Sequence, residues 1–132
     1  MFKPSTNEGF AMQRTIMIVD DSPSMRMLLK AALGDLGYAV IAAEDGCVAL
    51  DELSRIEPDL IITDINMPNL DGFGLIERLR TMPSHAGRPI LVLTTESSDE
   101  KKARARSAGA TGWIVKPFDP AKLASAIRRV LH

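Results

Sequence analysis

Asp64 closes the apolar run LIIT (60–63) and opens the polar stretch INMPNLDG. A run that is apolar at every position suits a strand covered on both faces, so this carboxylate stands where a buried strand leaves its sheet. Nothing beside it in the sequence neutralises it. Such a residue can be a turn-starting or helix-capping aspartate, or a reactive carboxylate aimed out of the sheet edge. Four further apolar runs bear on the choice: TIMIV (15–19), AVIAA (39–43), ILVLT (90–94) and GWIV (112–115). The first leads into Asp20 and Asp21, the fourth ends in Thr94 before Thr95 and Glu96, and the fifth leads into Lys116 and Pro117. If the runs are parallel strands, three carboxylates, a hydroxyl and an amine project from one edge, and only the second strand adds none.

Carboxylates gathered in one cleft repel one another unless a cation joins them. Oxygen ligands at a solvent-open site suit a hard ion that keeps several waters, which points to Mg2+. With Mg2+ and a lysine, the acidic trio matches an incoming phosphoryl group, and a threonine hydroxyl can donate to one of its oxygens. A carboxylate held in line can itself be the nucleophile and form an aspartyl phosphate.

The elements that must position these groups are legible as helical patterns between the strands. Met25, Leu28, Leu29, Ala32, Leu33 and Leu36 share one helix face, with Ser22 as N-cap, Pro23 in the first turn and Gly37 at the close. A second helix follows EDG (44–46) and stops before Pro58. A third runs from near Asp71 to Met82. A fourth opens at SSDE, where Ser97 and Glu100 have capping-box spacing, and closes at Gly109. The last spans Asp119 to Leu131, with Leu123, Ile127, Val130 and Leu131 inward. Strands alternating with helices in this way predict parallel strands joined by right-handed crossovers, a three-layer α/β sandwich whose ligands sit beyond the carboxyl ends of the strands.

Bulk properties agree. The 132 residues suit one domain, and 45% apolar with 25% charged residues is a globular composition. Sixteen Lys and Arg against seventeen Asp and Glu give a net charge of −1, which argues against a dedicated nucleic-acid binder. The single cysteine, Cys47, can form no internal disulfide and is expected to be a small packing residue on a helix. No apolar stretch has the length of a membrane span. Residues 1–13 lack the apolar block of a signal peptide and are expected to form a short flexible leader before a domain at 14–132. A cytoplasmic protein is the resulting expectation.

VDD at 19–21, DINMPNLDG at 64–72, LTTE at 93–96 and WIVKPF at 113–118 resemble, in order and placement, the motifs of response-regulator receiver domains. The likeness runs from Thr15 to Leu131, and the chain looks most like the single-domain chemotaxis regulators of the CheY type. That resemblance implies a flavodoxin-like fold, with a five-stranded parallel sheet in the order 2-1-3-4-5 and five flanking helices. It implies that Asp64 accepts a phosphoryl group from a CheA-like histidine kinase. Asp21 and Asp64 would ligate Mg2+ directly with the backbone carbonyl of Asn66, while Asp20 acts largely through water. Lys116 would pair with phosphoryl oxygens, its bond to Pro117 would be cis, and Thr94 would move toward the phosphoryl group. The aromatic at Trp113 would swing inward in response. Asn66 and Glu96 stand where the family tunes access of hydrolytic water, and their polar identities resemble the fast-resetting members.

The resemblance also implies a monomer without a DNA-binding output domain and away from the membrane. No enzymatic turnover is implied beyond self-catalysed phosphotransfer and autodephosphorylation. The surface around the fourth helix, fifth strand and fifth helix would change to bind a target such as the flagellar motor switch, or a phosphatase. Two positions keep alternatives. Trp113 replaces the tyrosine common in chemotaxis regulators and can equally be a half-buried anchor of the fifth strand. Lys101, Lys102, Arg104 and Arg106 can be a solvated face, a docking surface, or with Arg128 and Arg129 a site for an anion such as a cyclic dinucleotide. A phosphate sink or a phosphorelay carrier would use the same active-site residues as a motor switch. A haloacid-dehalogenase-type phosphatase would also use Asp, Thr, Lys and Mg2+. It needs a second Asp two residues after the nucleophile, and Asn66 cannot shuttle a proton. The stretch from Asp64 breaks the calcium-loop pattern at Pro68.

Overall fold

Five strands alternate with five helices along residues 13–131, the part of the chain described by the computed structural model. Apart from Gln13, the expected leader lies outside the described residues. The strands β1 (Thr15–Val19), β2 (Ala39–Ala43), β3 (Leu60–Thr63), β4 (Ile90–Thr94) and β5 (Gly112–Val115) are parallel, in the order β2-β1-β3-β4-β5. The helices are α1 (Pro23–Asp35), α2 (Gly46–Leu53), α3 (Gly72–Thr81), α4 (Asp99–Ala108) and α5 (Pro120–Val130). No helix among the described residues is long and apolar enough to cross a membrane.

The period of two in each strand divides the core into two layers. Ile16, Ile18, Leu60, Ile62, Leu91 and Leu93 pack with Leu29 and Leu33 of α1 and with Leu123 and Ile127 of α5. Their neighbours Met17, Val19, Ile61, Ile90 and Val92 face the other way, against Ala49 and Leu53 of α2, Phe73, Leu75, Ile76 and Leu79 of α3, and Ala105 of α4. Continuous apolar runs therefore fill both faces, as parallel crossovers require. The layers are unequal: Ala105 is the one buried residue of α4, which otherwise leans on Arg104, whose guanidinium stacks 4.0 Å from the Phe73 ring centre.

Local chemistry starts each helix. Ser22, Asp45, Asp71, Ser98 and Asp119 are the N-caps, and each side chain accepts from a backbone N–H of the first turn. Three expectations change. The cap of α4 is Ser98 rather than Ser97, so Lys101 rather than a glutamate occupies the third helical position and no capping box forms. On α1 only Leu29 and Leu33 are buried, whereas Leu28 and Leu36 are exposed beside a cleft shared with Pro120 and Leu123. Cys47 is exposed rather than packed.

Two polar clasps hold the loops. Arg80 of α3 donates to the Gly109 carbonyl through Nε (3.0 Å) and Nη2 (2.7 Å), and through Nη1 to the carbonyls of His85, Ala86 and Arg88. Gly109 ends α4 at φ 117°, and a Cβ there would press on the Arg80 side chain. Among the described residues no carboxylate pairs with it, and burial lowers the Arg80 pKa from the usual arginine value. The second clasp lies under the loop that follows Asp64. Asn69, at φ 69°, donates from Nδ2 to Asp45 Oδ2 at 2.7 Å, and Gly46 N–H donates to the Leu70 carbonyl at 3.1 Å. A Cβ on Gly46 would strike Leu70. The end of β2, expected to contribute nothing, thus fixes the loop beyond β3.

The N-cap bond from Val48 N–H, then the Asn69 amide and the Cys47 N–H, lower the Asp45 pKa below its ordinary 3.8 against the opposing effect of burial. A depressed carboxyl stabilises the fold above its unfolded value, and that contribution is lost as pH falls through the folded value. Asp45→Ala is expected to lower the unfolding free energy by about 1–2 kcal/mol at pH 7. In urea titrations the gap should narrow below the unfolded value of 3.8; a gap independent of pH contradicts the assignment. Arg80→Met is expected to cost at least about 2 kcal/mol, because several carbonyls lose their donor at once. It should also speed hydrogen exchange at 109–111, and unchanged exchange there would remove Arg80 as the clasp.

Candidate functional site

The sheet register carries the expected groups to one edge. Val19 pairs with Ala43 and Thr63, Thr63 with Val92, and Thr94 with Val115. Backbone pairing continues one residue further: Asp20 N–H donates to the Ala43 carbonyl (3.1 Å), Asp64 N–H to Val19 (2.9 Å) and Lys116 N–H to Thr94 (2.8 Å). Asp20, Asp64 and Lys116 are therefore placed by the strand ladder before any side-chain contact forms. The Lys116–Pro117 bond is cis, as the resemblance implied. Gly72 N–H donates to the Ile65 carbonyl at 2.8 Å, and a Cβ on Gly72 would overlap the Asp64 carbonyl. Only glycine lets α3 start this close to the strand end.

At the centre is Lys116. Its Nζ donates to Asp20 Oδ2 at 2.7 Å and to Asp64 Oδ2 at 2.8 Å. The other oxygens are held too, Asp20 Oδ1 by Ser22 N–H (2.9 Å) and Asp64 Oδ1 by Ile65 N–H (2.6 Å). Burial alone would lower the Lys116 pKa, but the hydrogen bonds and charge of the two aspartates outweigh it and raise the value above that of an ordinary lysine. The ammonium is thus a fixed positive charge. Of its two partners Asp64 is the more open, 9% exposed against 2% for Asp20. Asp21 is exposed, and carboxylate oxygens of Asp20, Asp21 and Asp64 all lie within 4.8 Å of one another. Three hard oxygen donors with an open side fit a divalent cation that keeps part of its water shell.

The mouth of the site is a second polar cluster. Glu96 Oε1 accepts from Lys101 Nζ at 2.8 Å and from Asn66 Nδ2 at 3.2 Å, and its carbonyl accepts from Trp113 Nε1 at 3.1 Å. Lys101 first, then Asn66, lower the Glu96 pKa against a smaller effect of burial. Thr94 is fully buried at the end of β4, its hydroxyl accepting from the Glu96 N–H at 3.4 Å. Trp113 is half-buried against the layer that contains α3 and α4. Of the basic residues on α4, Lys101 joins this cluster and Arg104 the Phe73 stack, while Lys102 and Arg106 line a cleft with Trp113.

Asp20, Asp21, Asp64, Asn66, Thr94, Glu96 and Lys116 lie at this edge, Trp113 reaches it through its indole N–H, and Arg128 and Arg129 stand apart in the last turn of α5; the supports of the site were missed. Arg26 of α1 reaches back with Nη1 to the Asp20 carbonyl at 2.7 Å. Asp45 and Asn69 brace the loop that carries Asn66. A cation in the first turn after an acidic pair was a usable signal for Arg26; the 24-residue separation of Asp45 from Asn69 left none.

The family described as response regulator receiver domain matches residues 16–128. The chain is similar to the chemotaxis response regulator CheY4 of Vibrio cholerae, with 43% identity over 90% of this chain and 99% of that one and a TM-score of 0.87. It is also similar to the receiver domain of the sensor histidine kinase PA1611 of Pseudomonas aeruginosa, a structure with a magnesium ion coordinated in its active-site cleft. That identity is 28%, over 90% of this chain and 98% of that one, with a TM-score of 0.84. Longer relatives include a probable transcriptional regulator, ycf27, of Porphyridium aerugineum, 40% identical over 89% of this chain and 48% of that protein. A gliding motility regulatory protein of Myxococcus xanthus is 39% identical over 88% of this chain and 15% of that protein. The chain spans half or less of the length of these two relatives. The family match extends from β1 into α5 and takes in every strand, so the chain belongs to the response-regulator receiver domain family.

Proposed function

We propose that this receiver domain works in the cytoplasm as a phosphorylation-activated switch of a two-component pathway concerned with chemotaxis, with Asp64 as the phosphoacceptor. The observation that carries the proposal is the lysine bridge: one ammonium holds a buried and a more open carboxylate in fixed directions, and the open one is Asp64. The chemotaxis assignment draws support from the likeness to CheY4 across 99% of that chain.

In this proposal an Asp64 oxygen attacks the phosphorus of a kinase phosphohistidine. The P–N bond breaks as the P–O bond forms, and its electron pair returns to the imidazole nitrogen, which takes a proton from solvent. Lys116 shifts from the carboxylates onto the phosphoryl oxygens, keeping its charge. Asp21 and Asp64 with the Asn66 carbonyl would hold Mg2+, with Asp20 acting through water, and the ion would supply charge that offsets the transferring oxygens. Thr94 is the group that would turn its hydroxyl from the Glu96 N–H toward the phosphoryl oxygens. Hydrolysis resets the site by attack of water on phosphorus, releasing inorganic phosphate, and Asn66 and Glu96 stand where that water must enter. Trp113, tied to the Glu96 carbonyl, would move with the β4–α4 turn and alter the surface of α4, β5 and α5.

The protein has one tryptophan, so its emission reports Trp113 alone. Mg2+ with beryllofluoride, a phosphoryl mimic, is expected to change that emission, and Asp64→Asn should abolish the change. An emission unaffected in the wild type would remove Trp113 as the reporter of the switch. The output is tested by titrating the activated protein against the regulator-binding segment of a flagellar switch protein from the same cell. Binding confined to the activated form supports a motor-directed signal. Absence of binding, with the mimic in place, would make the protein a phosphate sink or relay carrier.

A further inference from the structure

Asp20 and Asp21 are positioned very differently. The Asp20 carboxylate is buried and held on both oxygens, by Ser22 N–H and by Lys116. Asp21 is exposed, so its carboxylate follows wherever its backbone is turned. The peptide that joins the two begins at the Asp20 carbonyl, beyond the last residue of β1. That carbonyl is gripped by Arg26 Nη1 at 2.7 Å, from the first turns of α1, which Ser22 caps.

We propose that Arg26 is a positioning residue for the cation site: by fixing the Asp20–Asp21 peptide it sets the direction in which Asp21 is presented beside Asp64. The inference rests on the acidic trio being a divalent-cation site, as under Proposed function. Two physical effects of Arg26 have opposite signs. As a charge it repels a cation bound at the trio, but it is only partly buried and solvent screens that repulsion. As a hydrogen-bond donor it removes freedom from a ligand-bearing turn, and screening does not weaken that restraint. Supporting groups of this kind change metal affinity by about 10–100-fold. The restraint therefore outweighs the repulsion, and removing the cation at residue 26 weakens binding of another cation, the reverse of what charge alone dictates.

The test is calorimetric titration of the metal-free protein with Mg2+, with urea unfolding in chelator as the check on folding. Wild-type binding should disappear in Asp64→Asn. Arg26→Met, which keeps the aliphatic stem and loses the donors, should bind Mg2+ about tenfold more weakly. Arg26→Lys, which keeps a charged donor, should recover part of the loss. If Arg26→Met does not fold without metal, Arg26→Gln is read by the same criterion. Binding by the neutral variant that equals or exceeds wild type would overturn the inference while leaving the cation site intact. No Mg2+ binding by the wild type would remove the cation site itself, and the inference with it.

Discussion

Two carboxylates cannot share the edge of a buried sheet without a positive charge between them, and Lys116 supplies it. Like charges about 4 Å apart near a protein surface repel by about 4 kcal/mol, and backbone pairing that the strands impose brings carboxylate oxygens of Asp20 and Asp64 within 4.8 Å of each other. The ammonium turns the repulsion into a bridge 2.7 and 2.8 Å long. Other features of the edge serve the bridge: the ladder bond from the Lys116 N–H to Thr94, and a glycine at 72 that leaves room for the turn at Asp64. In the proposed switch Mg2+ and this lysine together would offset the charge of an incoming phosphoryl group, the ammonium passing from the carboxylates to its oxygens.

The same turn that ends β4 joins this centre to the surface. Thr94 accepts from the Glu96 N–H, the Glu96 carboxylate takes donors from Asn66 and Lys101, and the Glu96 carbonyl takes the Trp113 indole. One residue thus touches the acceptor loop, the first turn of α4 and the edge strand β5. Helix α4 is the helix with the fewest buried residues to resist a shift, and its far end is held by Arg80 at Gly109. A helix held by polar contacts at both ends, with one buried alanine and the Arg104 stack on Phe73 between them, can be repositioned at small cost. The proposed switch asks that of it.

Much of this architecture was legible in the sequence. The strand bounds coincide with the apolar runs, because a strand covered on both faces must be apolar throughout and a polar residue marks its end. Asp20, Asp21, Asp64, Thr94 and Lys116 could be placed at one edge because parallel strands deliver their carboxyl ends to the same side. Several of the misses depend on which distant residue answers a local pattern. Periodicity put Leu28 and Leu36 on the inner face of α1, but the cleft beside α5 leaves them exposed. Adjacent serines at 97 and 98 offered two caps, and the loop leaving β4 selected the second. Asp45 and Asn69 work as a pair 24 residues apart that no run of residues announces, whereas Arg26 stands six residues after Asp20, a local signal left unused.

The central claim is that Asp64 is the residue that takes the phosphoryl group. It is tested most directly by incubating the protein with Mg2+ and a small phosphoramidate donor, followed at once by intact-mass and peptide mass spectrometry. The proposed chemistry predicts a gain of one phosphoryl mass, confined to the peptide containing Asp64, lost on treatment with hydroxylamine and absent in Asp64→Asn. A phosphoryl group on another residue, or an unchanged mass in the wild type with Mg2+ shown to be bound, would contradict it.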